Sequence, residues 1–465
     1  MERLTGLDAS FLYLESSQQL LHVCGLLLLD PDTIPEGYRF DKLRSALDER
    51  VRDIPMFTRK LKTVPLGLDH PVWVDDREYD VKRHVHRLAV PSPGGDEVLA
   101  ELCGHLASMP LDRARPLWEM WVIEGLASGR IAVFTKMHHA SVDGVNGANM
   151  LSHLCSLEPG EPPLDLAEPK ARPGAAPSDT TLLVKAVAAN VTRPFNAVRL
   201  VKPTAALLGK TLSRVRSGTA MAAPLTAPRT SFNGTITGHR SIAFADISLQ
   251  RIREIKNAVE GATVNDVVLT VSGGALRRYL EERGELPTTS LLASVPVSVH
   301  ETTGNAKGSN KVSAIFAKLG TDIAEPLERL AKMSVANKHA KEHNKAIPAD
   351  TLQEWAEFAA PRTFGLAVRA VSSLGLADMG PVIHNLVISN VPGPPVPLYF
   401  MGARILGLYP LGPVFHGAGL NITVMSNMQT MHVGLIACES AMPNPWKLAE
   451  KFSEELDALY ADAVG

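Results

Sequence analysis

Two adjacent histidines, at the point where an apolar strand gives way to a turn, constrain this chain more than any other feature. Residues 131–136 are apolar and rich in β-branched side chains, which is typical of a buried strand. His138 and His139 follow, and the residues after Asp143 are typical of a helix start with Asp143 as the candidate N-cap. Because neighbouring strand side chains point to opposite faces, we expect one histidine to face a cleft and the other to pack into the scaffold.

Histidine is the usual general base near neutral pH, because its unperturbed pKa is about 6.5. Such a base could take the proton of an alcohol and let the alcohol attack an activated acyl group, without a covalent enzyme intermediate. The alternative is that the pair only packs or lies on the surface. We predict no metal site, because adjacent histidines do not readily share one ion and no cysteine cluster or His-Glu-x-x-His lies nearby.

The pattern His138-His139-x-x-x-Asp143-Gly144 resembles the HHxxxDG signature of the CoA-dependent acyltransferase superfamily, which includes the condensation domains of peptide synthetases. Other segments resemble blocks of the bacterial wax ester synthase/diacylglycerol acyltransferase (WS/DGAT) family. These segments are 7–11 (LDASF), 71–76 (PVWVDD), 111–119 (LDRARPLWE), 264–268 (VNDVV) and 389–394 (SNVPGP). They occur in family order along nearly the whole chain, and together they separate it from condensation domains.

The resemblance implies a mixed α/β (α+β) fold of two chloramphenicol-acetyltransferase-like lobes arranged as a V, with an active-site tunnel at their interface. It implies that His139 is the catalytic base, while His138 is structural or orienting. Asp143 is expected to pair with a cation, for which Arg59 is the first candidate, and Gly144 is expected to allow a tight turn beside the base.

Four further residues are candidates for the tunnel or the lobe interface: Asn265, Asp266, Ser389 and Asn390. The favoured interpretation of Asn265 and Asp266 is that they hold a helix N-terminus near that interface. Residues 389–394 are expected to form a rigid turn that lines the tunnel. The chain departs from the family at His300, where arginine is common, and at Asn427, where tyrosine is common.

The organisation predicted from composition is a first lobe over residues 1–157, a Pro-rich linker and basic helical connector over 158–239, and a second lobe over 240–465. We expect helices at 40–51, 98–109, 182–215, in the later part of 261–283, and at 445–461. We expect strands at 118–124, 130–137, 291–299, 311–319, 382–391, 420–425 and 431–437.

The charge balance gives no argument for nucleic-acid binding, since the formal net charge is −2. One interval is unusual: residues 180–245 contain nine lysines and arginines and no aspartate or glutamate. One interpretation is a basic amphipathic surface that meets anionic lipid headgroups or lipid droplets. The other is a packed connector whose cations are merely solvated.

The N-terminus has no signal-peptide pattern, and the most apolar run, residues 23–29, is too short to span a bilayer. The expected location is therefore the cytoplasm, with the periphery of the inner membrane or of lipid droplets as a further site. The four scattered cysteines fit a reducing compartment.

The function that the resemblance implies is an acyl-CoA-dependent O-acyltransferase. It would move a long-chain acyl group to diacylglycerol, giving triacylglycerol, or to a long-chain alcohol, giving a wax ester, and diacylglycerol is favoured. No cofactor is expected beyond acyl-CoA, which is a substrate. The alternatives are acyl transfer to another hydroxylated lipid, and a lipid-droplet or membrane-binding protein with vestigial activity.

Overall fold

Two large β-sheets carry the helices of the chain in a computed structural model that describes residues 2–142, 152–160, 176–189, 225–299, 311–345 and 376–465. The strands are β1 Glu2–Arg3, β2 His22–Asp30, β3 Arg59–Lys62, β4 Val72–Asp75, β5 Val85–Ala89, β6 Trp118–Glu124, β7 Ile131–His138, β8 Cys155–Ser156, β9 Arg240–Ser248, β10 Leu292–Val299, β11 Lys311–Lys318, β12 Leu386–Val391, β13 Tyr399–Phe400, β14 Ala403–Leu411, β15 Leu420–Asn427 and β16 Thr430–Cys438. The helices are α1 Gly6–Leu14, α2 Phe40–Val51, α3 Pro55–Thr58, α4 Asp96–Ala107, α5 at residues 179–189, α6 Leu249–Ala258, α7 Val264–Glu282, α8 Pro326–Lys345, α9 Leu376–Met379 and α10 Trp446–Ala463.

The local elements follow the sequence pattern closely. Helix α2 spans the predicted residues, and its buried Leu43, Leu47 and Val51 recur at the spacing of one helix face. Strand β6 also has its predicted bounds, and α4, α10 and the other predicted strands shift by a few residues at most, with β12 as the exception. Of the helix predicted at 182–215, only the part up to residue 189 lies within the described residues, and that part is helical.

Strand β12 was predicted to begin at residue 382, and this start was wrong. The strand begins at Leu386, because the side chain of Asn385 occupies the place of a ladder bond. Its Oδ1 accepts a 2.8 Å hydrogen bond from the backbone N–H of Leu292, and its Nδ2 donates to the carbonyl of Pro228. Asparagine side chains often compete with the backbone in this way.

The first large sheet has the strand order β5-β6-β7-β2-β14-β13-β8, and the second has the order β11-β10-β12-β15-β16-β9. Strands β1, β4 and β3 form a small separate sheet. Within the first sheet, β2 is antiparallel both to β7, which ends at the histidine pair, and to β14. The mixed α/β, two-lobe fold predicted from the resemblance is therefore the fold observed.

The second half of the chain is not confined to the second sheet. Strands β13 and β14 join the first sheet, although both lie within the predicted second lobe of 240–465. The apolar residues Ile405 and Leu408 of β14 pack in the same core cluster as Leu27 and Leu29 of β2. The boundaries predicted near residues 157 and 240 stay predictions. The first sheet nevertheless contains two strands from the second half of the chain.

Two glycines allow the lobes to meet backbone to backbone. A Cβ atom at Gly104 of α4 would lie 2.4 Å from the carbonyl oxygen of Arg240 in β9. A Cβ atom at Gly434 of β16 would lie 2.0 Å from the carbonyl oxygen of Pro410 in β14. Any larger residue at either position would have to push the two backbones apart.

Within the part of the chain that the structure describes, no helix has both the length and the apolar character needed to cross a membrane.

Candidate active site

The histidine pair lies at the end of a fully buried strand. All residues of β7 from Ile131 to His138 are buried, and His138 pairs in register with His22, the first residue of β2. His139 opens the short helical turn His139–Ser141 that follows. The β2–β7 ladder therefore fixes where the strand stops and the turn begins.

His138 belongs to the scaffold. Its side chain is only about 1% exposed, and its Nδ1 accepts a 3.0 Å hydrogen bond from the backbone N–H of Ala140. The hydroxyl of Ser141 donates to the carbonyl oxygen of His138 at 2.7 Å, and this closes the turn. Since Nδ1 is an acceptor, the proton of the neutral ring is on Nε2.

The Nε2 atom of His138 faces the carboxylate of Glu15, which directly follows α1. Glu15 Oε2 lies 3.5 Å from His138 Nε2, and Glu15 Oε1 lies 3.5 Å from His22 Nε2. These distances are at the long limit of hydrogen bonding, so the contacts are chiefly electrostatic. Arg113 Nε donates to Glu15 Oε2 at 3.1 Å.

Glu15 is ionised although it is largely buried. Burial alone would raise the pKa of the Glu15 carboxyl, but contacts with His138, His22 and Arg113 outweigh that effect and hold the pKa well below its usual range. Among the described residues, no group of three or more histidine, cysteine, aspartate or glutamate side chains could hold a metal ion. The cluster of His22, His138 and Glu15 is therefore not a candidate metal site.

His139 has a different environment. Its ring stacks on the ring of Phe11, with centroids 3.9 Å apart and an interplanar angle of 21°. Its backbone N–H donates to the carbonyl oxygen of Leu21 at 2.8 Å. Its Nδ1 is buried and has no hydrogen-bond partner among the described residues, and burial lowers the pKa of the ring to about 4. The imidazole is therefore neutral at neutral pH and is not used to hold the turn.

The loop after α1 is fastened to the second lobe. Arg240 Nη2 donates to the carbonyl oxygen of Gln18 at 2.6 Å, and the backbone N–H of His416 donates to Gln19 Oε1 at 2.8 Å. This loop connects Glu15 to His22, so the residues around the histidine pair depend on contacts with both lobes.

Asp266 acts as a helix cap, in agreement with the favoured sequence interpretation. Thr263 and Asp266 form a reciprocal capping box at the start of α7, and Asp266 Oδ1 accepts a 2.8 Å hydrogen bond from Asn337 of α8. Both carboxylate oxygens are thus engaged. The neighbouring Asn265 is half-buried, and its Oδ1 accepts a 3.4 Å hydrogen bond from Asn390 Nδ2 at the end of β12.

The structure therefore brings together two of the four tunnel candidates, Asn265 and Asn390. Ser389 is half-buried in β12 and pairs in register with Thr423. Val391, which follows Asn390, packs on the same apolar cluster as Val142, so the end of β12 meets the core beneath the histidine turn. Their role in a tunnel stays a prediction.

Asn427, one of the two departures from the family pattern, holds the loop after β12. Its Nδ2 donates to the carbonyl oxygens of Pro394 at 3.0 Å and Val396 at 3.2 Å. The backbone N–H of Gly393 donates to Ser426 Oγ at 3.1 Å. The asparagine thus fixes the path of this proline-rich turn, where a tyrosine would have neither amide donor.

Three predicted positions, Asp143, Gly144 and His300, lie outside the described residues. The cation proposed as partner of Asp143 has other contacts: Arg59 pairs with Glu2 at 2.9 Å and with Asp75 at 3.2 Å. Lys60, the next residue in the chain, pairs with Asp76.

The first lobe has two surface clefts, of about 580 Å³ and 200 Å³, and neither His138 nor His139 lines them. The tunnel past His139 stays a prediction.

Sequence reasoning missed Phe11, Glu15, His22 and Arg113 as neighbours of the histidine pair. Phe11 lies in segment 7–11 and Arg113 in segment 111–119, both of which resemble family blocks, but neither residue was predicted to have a role in the site. Phe11 and Glu15 are four residues apart, which is the spacing of neighbours on one helix face and was the available signal. His22 carried no signal, since only the β2–β7 register places it opposite His138.

The chain matches two family models that together span most of its length. One describes the wax ester synthase/diacylglycerol acyltransferase catalytic domain and matches residues 4–268, and the other describes the WS/DGAT C-terminal domain and matches residues 308–460. The chain belongs to the WS/DGAT family of acyltransferases, and the prediction of this enzyme class is confirmed.

Individual relatives agree. A putative diacylglycerol O-acyltransferase of Mycobacterium tuberculosis is 43% identical over 460 residues, which cover 99% of this chain and 90% of the relative. The solved wax ester synthase/diacylglycerol acyltransferase of Marinobacter aquaeolei VT8 is 31% identical, with a TM-score of 0.68 and 99% of each chain covered. The first condensation domain of the CDA synthetase, at 16% identity and a TM-score of 0.58 over 99% of this chain and 96% of that one, shares the fold.

We predict that His138→Ala destabilises the protein more than His139→Ala. The first change leaves the N–H of Ala140 without its acceptor in a buried turn, which typically costs about 1–3 kcal/mol. The second removes a ring whose Nδ1 has no partner among the described residues. Thermal melting of the two purified variants, side by side with the unchanged protein, tests this. A larger fall in melting temperature for His139→Ala would contradict the assignment of His138 to the scaffold.

Proposed function

We propose that this chain transfers a long-chain acyl group from acyl-CoA to the hydroxyl group of diacylglycerol, giving triacylglycerol, with His139 as the general base. The observation that carries the proposal is the unequal use of the two rings. His138 is committed to the turn and faces Glu15, whereas His139 is stacked on Phe11, partly exposed and held neutral. The relatives named as diacylglycerol O-acyltransferases support the choice of acceptor.

The proposed reaction has one transfer step. The neutral imidazole of His139 takes the proton of the acceptor hydroxyl, and the oxygen attacks the thioester carbonyl carbon. The carbon–sulfur bond then breaks, and the imidazolium returns its proton to the CoA thiolate, so that an ester and free CoA leave. The step needs no cofactor beyond the acyl-CoA substrate. A base must be unprotonated to act, and the lowered pKa of His139 meets this requirement at neutral pH.

We expect His139→Ala to lower the rate of acyl transfer by about 10²–10⁴-fold, the usual cost of losing a general base. The measurement is the release of CoA with a long-chain acyl-CoA donor and a panel of acceptors that includes diacylglycerol and fatty alcohols. His105→Ala is the matched control, because His105 lies exposed on α4. A His139→Ala rate within about threefold of the unchanged protein would contradict the proposal. Transfer to fatty alcohols but not to diacylglycerol would be consistent with His139 as the base and would contradict diacylglycerol as the acceptor.

Direct attack on the thioester predicts that no acyl-enzyme accumulates. The sequence holds no Gly-x-Ser-x-Gly elbow, and all four cysteines are buried. Burial raises the pKa of the Cys24 and Cys155 thiols to about 12. At Cys438 hydrogen bonds from Ser440 and Thr237 outweigh burial and lower the pKa, but this thiol is also buried. The protein should therefore carry almost no label after incubation with radiolabelled acyl-CoA alone and acid quenching. About one labelled acyl group per chain would overturn direct attack.

We also propose that residues 180–245, the interval without aspartate or glutamate (the acid-free interval), help the enzyme to reach its lipid substrates at anionic interfaces. Helix α5 buries Leu182 and Ala186 against the small sheet and exposes Val184, Lys185 and Val187. Exposed apolar residues beside a cation are typical of interfacial helices.

The described residues correct this interpretation in one respect. Arg229 and Arg240 belong to the interval, but both donate to backbone carbonyl oxygens within the fold, and Arg240 is buried. Arg240 is therefore not available to lipid headgroups, whereas Arg229 stays exposed.

We expect the protein to co-sediment with anionic vesicles at low salt and less so as salt rises, because each cation near such a surface contributes about 1 kcal/mol. A variant with Lys185, Arg193, Arg199 and Lys202 changed to glutamine should bind more weakly. Neutral vesicles are the control. Equal partitioning of the two proteins at low salt would contradict the proposal. It would leave the other interpretation, a packed connector whose cations are merely solvated.

A further inference from the structure

The C-terminal end of helix α1 and the residue that follows it contact both histidines. Phe11 lies in the last turn of α1, and Glu15 is the C-cap residue that directly follows the helix. Phe11 stacks on the ring of His139, and Glu15 lies 3.5 Å from Nε2 of His138. The family resemblance and the reaction proposed above assign no role to Glu15.

The Glu15 carboxylate is held in place by more than the histidines. Its side chain is about 10% exposed, and Arg113 donates to Oε2 from Nε at 3.1 Å and from Nη2 as well. Arg113 Nη2 also donates to the carbonyl oxygen of Leu12 at 3.2 Å, which ties the guanidinium to α1 itself. The negative charge is therefore compensated, and its position is set by a helix and a fixed cation.

This position decides which nitrogen of His138 carries the proton. A carboxylate beside Nε2 favours the tautomer with the proton on Nε2, and that tautomer leaves Nδ1 as an acceptor. Nδ1 is the atom that accepts from the N–H of Ala140 in the turn His139–Ser141. In the other tautomer two N–H groups would face each other at this point, and the turn would have to change.

We propose that Glu15 is a positioning residue for acyl transfer: it keeps the His138 proton on Nε2, so that Nδ1 fixes the turn that presents His139. The inference rests on the proposed role of His139 as the base. Glu15 acts through His138 and has no contact with the reacting atoms.

The test is a double-mutant cycle on the acyl transfer rate, with Glu15→Gln and His138→Asn. Glutamine keeps the shape of Glu15 and removes its charge. Asparagine at 138 has an acceptor near the position of Nδ1, which can still cap the Ala140 N–H, but it has nothing in place of Nε2. Glu36→Gln is the matched control, because Glu36 is a surface residue paired with Lys42.

In the otherwise unchanged protein, Glu15→Gln should lower kcat by about 10- to 100-fold, by analogy with the loss seen when the partner that orients a metal-ligating histidine is removed. KM should change little, because substrate binding is not altered. In the His138→Asn background, Glu15→Gln should change kcat by less than about threefold, since the atom through which it acts is gone. Glu36→Gln should leave kcat unchanged. A purely structural role for Glu15 would give the same loss in both backgrounds and would overturn the proposal.

A second measurement does not depend on whether Glu15→Gln folds. Nitrogen-15 NMR of the unchanged protein with labelled histidine reports the tautomer of each ring, and the His138 signal is the one that His138→Asn removes. The proposal expects the proton on Nε2 at neutral pH, and a proton on Nδ1 would overturn it.

The two proposals fail separately. Full activity in His139→Ala would remove the base and with it the basis of this inference. An inactive His139→Ala together with unchanged kcat in Glu15→Gln would overturn the role of Glu15 alone.

Discussion

The position of strand β2 between β7 and β14 is the constraint on which the rest of the structure depends. On one edge its first residue, His22, pairs with His138, and on the other its far end pairs with Ile405 of β14. Its apolar residues are buried on both faces, with Leu26 in one core cluster and Leu27 in another. A continuous apolar run is what a central strand with two covered faces requires, and residues 23–29 owe their hydrophobicity to this placement.

This constraint also explains which parts of the structure the sequence could predict. Helix α2 and strand β6 were predicted with their observed bounds, because periodicity is a local property of the chain. The entry of β14 into the first sheet was not predicted, because it depends on pairing between residues more than 370 positions apart, such as Arg404 and Asp30. No local pattern distinguishes a strand that returns to the first sheet from one that stays in the second.

The candidate site shows the same division. The alternation of side chains in a strand led to the expectation that the two histidines differ, and His138 is buried while His139 is partly exposed. The capping role of Asp266 followed from its place before an apolar helical run. Glu15 and Arg113 were missed, since 98 residues separate them and only the folded chain brings them together. The interpretation of residues 180–245 as a basic surface was wrong for Arg240 for a related reason. Its guanidinium needs no carboxylate, because the backbone carbonyl oxygens of Gln18 and Thr237 accept hydrogen bonds from it.

The placement of Glu15 beside His138 and not beside His139 has an electrostatic consequence. A carboxylate in contact with an imidazole stabilises the imidazolium and so raises its pKa, whereas burial among neutral groups lowers it. At equal burial a base in contact with Glu15 would have a higher pKa than one without that contact, although at His22 burial outweighs the carboxylate and lowers the pKa to about 4. The stacked, uncharged surface of Phe11 has the opposite effect, and the pKa of His139 is lowered. Because His138 ends the strand and His139 opens the turn, their rings lie in different environments. The Glu15 carboxylate can then orient the neutral His138 ring, which holds the turn, while the His139 ring has no contact with that charge.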